Sequence, residues 1–354
     1  MTRLTYRDAG IDLDLYKKTL AGMQPLLKRT QTPRVFDGFG GFASLFSLDY
    51  NSRLFAKNYR HPVLVTCTDG VGSKLKVAGL MNRHDTVGID LVAMSVNDCL
   101  CTGGEPLMFL DYLAMPKDDP ALTYQLIKGI SDGCMEADCA LTGGETAILP
   151  DFYQPGDYDM AGFCVGVVER EHIVTGRRIQ PGDAVLGLAS TGLHSNGYSL
   201  ARKIVFDHAG LKVNDFVPEL GRTVGDALLE PTRIYVRAIK HTLQHYPIKK
   251  GVVRGLAHIT SGGLVDNIPR ILPQDRHVFL RRSNWPMPPV FAWLQRLANI
   301  EQVEMDRVFN LGIGFVMIVR PFFAESIQRQ LQEHRIPAYL IGEVREGARG
   351  IEFV

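Results

Sequence analysis

The chain has 354 residues, the length of about two domains at roughly 150 residues each. Hydrophobic residues make up 45% and charged residues 22%, ordinary globular proportions that leave each half enough apolar material for a core. A formal net charge of +1 excludes the basic footprint of a nucleic-acid binder, and no apolar run is long enough to span a bilayer.

The opening residues, Met1-Thr2-Arg3-Leu4-Thr5-Tyr6-Arg7-Asp8, lack the apolar core of a secretory signal, so a cytoplasmic protein is expected. From there strand-like and helix-like stretches alternate, the pattern of an α/β chain. Residues 63–67 read as a buried strand and 107–110 as another. Between them, Ile89, Ala93, Val96 and Leu100 recur at helical spacing and predict a helix over 88–101. A second helix fits 122–137, followed by a long strand over 161–168. The polar, turn-rich stretch 175–183 marks a boundary, placed between residues 1–170 and 171–354. The second half resumes with a strand at 184–188. Helices follow near 198–205, 232–245 and 323–334, and a strand at 314–319. All six cysteines lie between Cys67 and Cys164. Their closest spacings, Cys99-x-Cys101 and Cys134-x4-Cys139, match neither a zinc nor a redox motif, so they read as small buried hydrophobes.

Common nucleotide and hydrolase motifs fail. There is no Gly-Lys dipeptide and hence no Walker A loop. Gly38-Phe39-Gly40-Gly41-Phe42-Ala43 imitates a dinucleotide fingerprint but lacks a preceding βαβ context. Ser195 sits in Leu193-His194-Ser195-Asn196-Gly197, which is not a nucleophile elbow.

Acidic and glycine-rich turns remain. The strongest is Asp69-Gly70-Val71-Gly72-Ser73-Lys74, directly after the first strand. Gly70 and Gly72 let backbone approach an oxyanion, Asp69 offers a hard oxygen to Mg²⁺, and Lys74 neutralises phosphate. The plain alternative is a turn capped by Asp with a solvated Lys. On the helix over 88–101, Asp90 and Asn97 lie seven positions apart on one side, with Asp98 at its edge. Glu145, after an expected Gly143-Gly144 turn, adds a fourth oxygen. A solvated surface is the ordinary reading of any one of these carboxylates. His194, Ser195 and Asn196 follow the strand at 184–188 and open a helix, either facing a ligand or capping it. His258-Ile259-Thr260-Ser261-Gly262-Gly263 precedes a short helix whose backbone N–H groups suit a phosphate, or is a capped turn.

Together these segments resemble the phosphoribosylformylglycinamidine cyclo-ligases, also called aminoimidazole ribonucleotide synthetases. The similarity begins at Tyr6-Arg7-Asp8-Ala9-Gly10-Ile11-Asp12 and Gly40-Gly41-Phe42. It continues through the 69–74 loop, Gly88-Ile89-Asp90-Leu91-Val92-Ala93-Met94-Ser95-Val96-Asn97-Asp98 and Phe109-Leu110-Asp111-Tyr112. Gly143-Gly144-Glu145-Thr146-Ala147, His194-Ser195-Asn196-Gly197-Tyr198-Ser199, Pro231-Thr232-Arg233-Ile234-Tyr235-Val236 and Phe309-Asn310-Leu311-Gly312-Ile313-Gly314 extend it. Ser73, Ile148-Leu149, Ser261 and Phe315 depart from the family pattern.

The resemblance implies an α/β fold of α+β type in two domains. Residues 1–170 would bind ATP and give strands to a dimeric β-barrel, and 171–354 would form an α/β sandwich that binds substrate. It implies ATP-dependent closure of formylglycinamidine ribonucleotide to aminoimidazole ribonucleotide by a homodimer using ATP and Mg²⁺, with K⁺ left open. Asp69, Lys74, Asp98, His194 and His258 are then the catalytic candidates. Gly70, Gly72, Ser73, Lys74, Asn97, Gly143, Gly144 and Lys28 are ATP or phosphate contacts. Ser195, Asn196, Thr260, Ser261, Gly262 and Gly263 are substrate contacts, and Asp69, Asp90, Asp98 and Glu145 metal ligands. The rivals are a selenophosphate synthetase-like enzyme, which would carry a reactive Cys far earlier than Cys67, and a non-catalytic nucleotide-binding scaffold.

Overall fold

The computed structural model describes residues 13–36, 43–52 and 56–354. The motifs at 6–12 and 38–42 lie outside the described residues. Strands of four or more residues are numbered in chain order. The N-terminal half is built on a four-stranded sheet of β1 (Pro62–Gly70), β2 (Glu105–Met115), β3 (Ala140–Ile148) and β4 (Asp159–Glu169), in the order β1-β4-β2-β3. Only the β2/β3 pair is parallel. Helices α1 (Leu13–Lys28), α2 (Lys74–Met81), α3 (Val87–Cys101) and α4 (Pro120–Glu136) complete this half.

Alternation along β1 explains how the sheet is used. Val65 is buried and Cys67 and Asp69 half-buried on one face, while Leu64, Thr66 and Thr68 are exposed on the other. The covered face packs on α3, which is apolar around most of its circumference and almost wholly buried. α3 and α4 cross at two glycines. A Cβ on Gly88 would sit 2.2 Å from the Ile130 nitrogen, and one on Gly129 would sit 2.3 Å from the Asp85 carbonyl oxygen. Neither position tolerates a side chain without parting the helices.

The C-terminal half is a six-stranded sheet of β5 (Ala184–Ala189), β6 (Val253–His258), β7 (Arg276–Leu280), β8 (Ile313–Val319), β9 (Ala338–Glu346) and β10 (Gly350–Phe353). The order is β6-β8-β5-β9-β7-β10, antiparallel except for β7/β10. β8 is buried along its whole length because both sheet faces are covered, so it reads as an unbroken apolar run. Short helices α5 (Tyr198–Arg202) and α6 (Val224–Leu228) precede α7 (Val236–His245). α8 (Gly263–Asn267), α9 (Pro289–Ala298), α10 (Gln302–Val308) and α11 (Ala324–Glu333) follow. α7 starts four residues later than the sequence periodicity predicts. Residues 232–235 are held outside the helix by contacts with α3.

Those contacts join the halves. Lys74 Nζ, at the start of α2, lies 2.8–2.9 Å from the Asp90 carboxylate of α3. It also donates to the backbone oxygens of His194 at 3.0 Å and Glu230 at 2.7 Å. Asp90 accepts from the Thr232 N–H at 2.7 Å and its hydroxyl at 2.6 Å. Asn97 continues the seam, donating to the Arg233 oxygen at 2.9 Å and accepting from the Tyr235 N–H at 3.0 Å. Lys74, Asp90 and Asn97 are each 0% exposed. Three residues expected at phosphate or metal therefore fasten the halves instead: Lys74 has no free donor direction, Asp90 is enclosed, and both polar ends of Asn97 are taken. Burial pulls the Lys74 ammonium down, and Asp90 opposes it.

Removing one partner of such a pair strands a buried charge and costs about 3–5 kcal/mol. Lys74→Met is expected to lose that much stability, read as a fall in the denaturant midpoint; an unchanged midpoint would refute the clamp. Asp111 on β2 makes a second, pH-dependent prediction. Burial pushes its carboxyl up to about 7, and its own backbone N–H offsets this in part. A carboxyl raised in the folded state opposes folding as the unfolded chain ionises, from near pH 4 to above pH 7. Asp111→Asn should thus be more stable than the parent at pH 8, by up to about 4 kcal/mol, with no such gain at pH 4. Unfolding curves at both pH values check this, and equal midpoints at pH 8 contradict it.

Candidate active site

One cleft of about 490 Å³ runs between the two halves. Asp69, Gly70, Val71, Gly72 and Ser73 form one wall. The turn and helix start from Ser195 to Leu200 form the opposite wall, with Ser261 and Val308, and Met94 of α3 also lines it. The two walls touch where Ser73 Oγ is 3.3 Å from Ser199 Oγ, and within the second wall the Ser261 hydroxyl donates to Asn196 Oδ1 at 3.0 Å. Sequence reading named Asp69, Gly70, Gly72, Ser73, Ser195, Asn196 and Ser261, and the fold gathers all seven here.

Asp69 ends β1 in strand geometry, so its side chain stays on the covered face of the sheet. Its Oδ1 accepts the Gly70 N–H at 2.8 Å. Burial raises the Asp69 carboxyl, the Gly70 amide lowers it, and the Asp98 charge raises it again. Asp98 of α3 is thus a close like charge. Its side chain is 46% exposed, and its Oδ1 meets His258 Nδ1 at 2.9 Å. Gly72 takes φ +71 to turn the chain from β1 into α2, a conformation that a side chain would strain.

The second wall has its own supports. His194 stands at φ +62 and Gly197 at φ +76, which swings 195–197 into the cleft before α5 starts. No side chain caps α5, so Ser195 and Asn196 are free of that duty. The Ser195 hydroxyl lies 2.9 Å from the Thr232 hydroxyl, tying the turn to the interdomain seam. The 260–263 turn is closed by Asn267, whose amide donates to the carbonyl oxygens of Thr260, Ser261 and Gly263. Thr260, Gly262 and Gly263 support the turn, and only Ser261 reaches the cleft lining.

Other expected residues lie elsewhere. His194 is 1% exposed behind the turn, and burial holds its imidazole well below the usual range. His258 is 4% exposed and meets Asp98, and neither residue is part of the cleft lining. Gly143 and Gly144 are not a turn. They continue β3, where a Cβ on Gly144 would strike the Asp111 carboxylate at 2.5 Å. Glu145 pairs across the sheet with Tyr112, then Ala161, then Gly70. Three strand spacings put it about 14 Å from the Gly70 backbone, too far to share one ion with Asp69. Lys28 is exposed at the end of α1, against α4 rather than the cleft.

A second groove of about 380 Å³ shares Gly72 and Ser73 with the cleft. Lys76 and Arg202 line it together with Asp157, Tyr158 and Asp159. Lys76 is exposed and pairs with Asp157 at 2.6 Å. Arg202 keeps a buried Nε with no partner among the described residues. Sequence reading missed both cations. Helical geometry could have separated Lys74 from Lys76, since residues two apart point to opposite sides of a helix. No spacing signal marked Arg202.

Among the described residues no group of three or more His, Cys, Asp or Glu side chains is gathered as a metal site. All six cysteines are free and at least half-buried. No helix among the described residues is long and apolar enough to cross a membrane.

Residues 58–168 match the family model described as AIR synthase related protein, N-terminal domain, and residues 180–354 match its C-terminal counterpart. The phosphoribosylformylglycinamidine cyclo-ligase of Citrifermentans bemidjiense is 50% identical over 353 residues, covering 100% of this chain and 98% of that protein. The thiamine-monophosphate kinase of Stenotrophomonas maltophilia shares the fold, with a TM-score of 0.64 at 14% identity over 96% of this chain and 95% of that one. The hydrogenase maturation protein HypE in complex with ATP does so with a TM-score of 0.61 at 16% identity, covering 93% and 89%. With both domain models matched in order and half of all positions identical to a cyclo-ligase along its full length, the chain belongs to the phosphoribosylformylglycinamidine cyclo-ligase family.

Proposed function

We infer that the interdomain cleft is where this chain carries out its family's reaction. The chain is an ATP-dependent ligase of purine biosynthesis that closes formylglycinamidine ribonucleotide to aminoimidazole ribonucleotide, releasing ADP and phosphate. One observation carries the siting: the acidic glycine loop of the N-terminal half and the polar turns of the C-terminal half line the same cleft and touch across it at Ser73 and Ser199.

In the reaction, the γ-phosphoryl group of ATP goes to the formyl amide oxygen and makes it a good leaving group. The amidine-side nitrogen then attacks that carbon, the imidazole ring closes, and phosphate departs with the former formyl oxygen. Much of such catalysis is positioning and charge stabilisation. Gly70 and Gly72 let backbone approach the phosphates, and Lys76 and Arg202 supply the positive charge that Lys74 cannot. Asp69 and Asp98 fit Mg²⁺: the Asp98 charge is close enough to act on the Asp69 carboxyl, and the ion's remaining ligands are commonly substrate phosphates and waters. Bound there, Mg²⁺ would neutralise charge on the transferring phosphoryl group. Ser195, Asn196 and Ser261 are the polar groups available to the ribonucleotide. The outer face of the N-terminal sheet, with Leu64 57% and Phe163 41% exposed, supports a homodimer paired through that face.

The decisive assay combines the protein with formylglycinamidine ribonucleotide and Mg-ATP, with Mg²⁺ and K⁺ omitted in turn. Phosphate release that depends on the ribonucleotide, with formation of aminoimidazole ribonucleotide, is expected; its absence overturns the reading. Asp69→Asn should lower kcat at least about tenfold at saturating Mg²⁺ without lowering Tm. Lys76→Met should raise the KM for ATP several-fold and leave stability unchanged, unlike Lys74→Met. A Lys76 variant with the parent's KM would remove that cation from the phosphate site.

A further inference from the structure

Two imidazoles beneath the cleft carry complementary nitrogens that nothing satisfies. His194 Nε2 accepts the Thr191 backbone N–H at 3.2 Å and faces the Arg233 N–H at 3.5 Å. A ring nitrogen that accepts carries no proton, so the neutral ring keeps its proton on Nδ1. That Nδ1–H is buried and has no acceptor among the described residues. His258 has the opposite need. Its Nδ1 faces the Asp98 carboxylate at 2.9 Å, which can only accept, so Nδ1 holds the proton. Its Nε2 is then a bare lone pair, also buried, with no donor among the described residues.

The two rings belong to one neighbourhood. His258 pairs in register with Phe315 of β8 and stacks on its ring, with centroids 6.4 Å apart and an interplanar angle of 27°. His194 lies against the preceding residue, Gly314: a Cβ there would come within 2.3 Å of its ring and 2.2 Å of the Tyr235 hydroxyl. The absence of a side chain at Gly314 is what admits both groups. The Tyr235 hydroxyl donates to the Ala189 oxygen at 2.9 Å and keeps a lone pair. His258 is near enough for its charge to act on His194, yet no direct hydrogen bond joins them. An unsatisfied donor, an unsatisfied acceptor and a spare lone pair in one buried place are the partners an internal water requires.

We propose that a buried water bridges His194 Nδ1–H to His258 Nε2, so that Asp98, His258, the water and His194 form one hydrogen-bonded chain in which both histidines are positioning residues for the Asp98 carboxylate. The water bridge stands on geometry alone; the positioning role rests on the reading that Asp98 serves the ring-closure site. The chain runs from α3 of the N-terminal half into the C-terminal half, so the orientation of a carboxylate on α3 is set partly from across the interface. A metal-ligating or phosphate-facing carboxylate gains from such a fixed outer partner.

Two measurements on the full-length protein test this. In ¹⁵N-labelled protein, with signals assigned through His194→Gln and His258→Asn, both rings should be Nδ1–H tautomers, the rarer form for free histidine. A crystal structure should show an ordered water within hydrogen-bond distance of both nitrogens. An Nε2–H tautomer in either ring, or an empty gap, overturns the bridge. For positioning, His258→Asn keeps a donor where Nδ1 was, whereas His258→Leu keeps only bulk. The Asn variant should retain kcat about tenfold above the Leu variant, with the KM values of both substrates alike in the two. Equal kcat in the two folded variants, or a better Leu variant, overturns positioning while leaving the tautomer result intact. A parent enzyme that makes no aminoimidazole ribonucleotide would count instead against the functional reading.

Discussion

The molecule depends on one buried ion pair. Lys74 and Asp90 both come from the N-terminal half, 16 residues apart, yet they grip the other half: Lys74 takes the backbone oxygens of His194 and Glu230, and Asp90 takes Thr232 twice. A buried charge pair is weak evidence for net stability, because desolvation offsets much of its attraction. Its value here is specificity. Only one placement of the 230–235 segment satisfies two charges and their five or so hydrogen-bonding directions. That placement sets the turn after β5, and with it the second wall of the cleft.

The same pair explains how two lysines close in sequence divide their work. Lys74 begins α2 facing inward and is fully enclosed, while Lys76 faces the groove beside Ser73 and Asp157. The start of one short helix thus places one cation inside the interdomain seam and the other in an open groove. The loop ahead of them is free to specialise because its lysine no longer has to reach a phosphate. Asp69, Gly70 and Gly72 give that loop its chemistry, and the clamp behind it gives it a fixed direction.

Much of this was legible in the sequence, and the reasons differ by element. β8 is buried on all sides, so an unbroken apolar run announced it, and α3 was announced by apolar residues recurring at helical spacing. The cleft walls were legible because a close approach to a ligand leaves glycines, hydroxyls and acids in short clusters, and these were recognised at 69–73, 195–196 and 261. What remained hidden was direction. Asp90, Lys74 and Asn97 have the composition of a phosphate site, and only the third dimension shows that a strap of the other half saturates them. Gly143-Gly144 reads as a turn by composition, but Gly144 sits in a strand because the Asp111 carboxylate occupies the space over it. Arg202 joined the groove through a turn more than a hundred residues from the loop it faces, which no local pattern encodes.

The two halves also differ in what they bring to the shared cleft. The N-terminal wall is acidic and glycine-rich, suited to a metal and a phosphate chain, and it is anchored on a strand end and a buried helix. The C-terminal wall is made of hydroxyls and amides on turns held in left-handed backbone at His194 and Gly197. A ring closure requires the activated oxygen and the attacking nitrogen to be held together, and a site split across an interface does this only if the interface is rigid. Here rigidity is supplied three times over, by the Lys74–Asp90 clamp, by Asn97 on the 233–235 backbone and by the Asp98–His258 contact, all of them reaching across from along α3 or from its neighbour α2. Fixing one buried helix against the opposite half thus sets how the two walls of the cleft face each other, while the turns that line it stay at the surface.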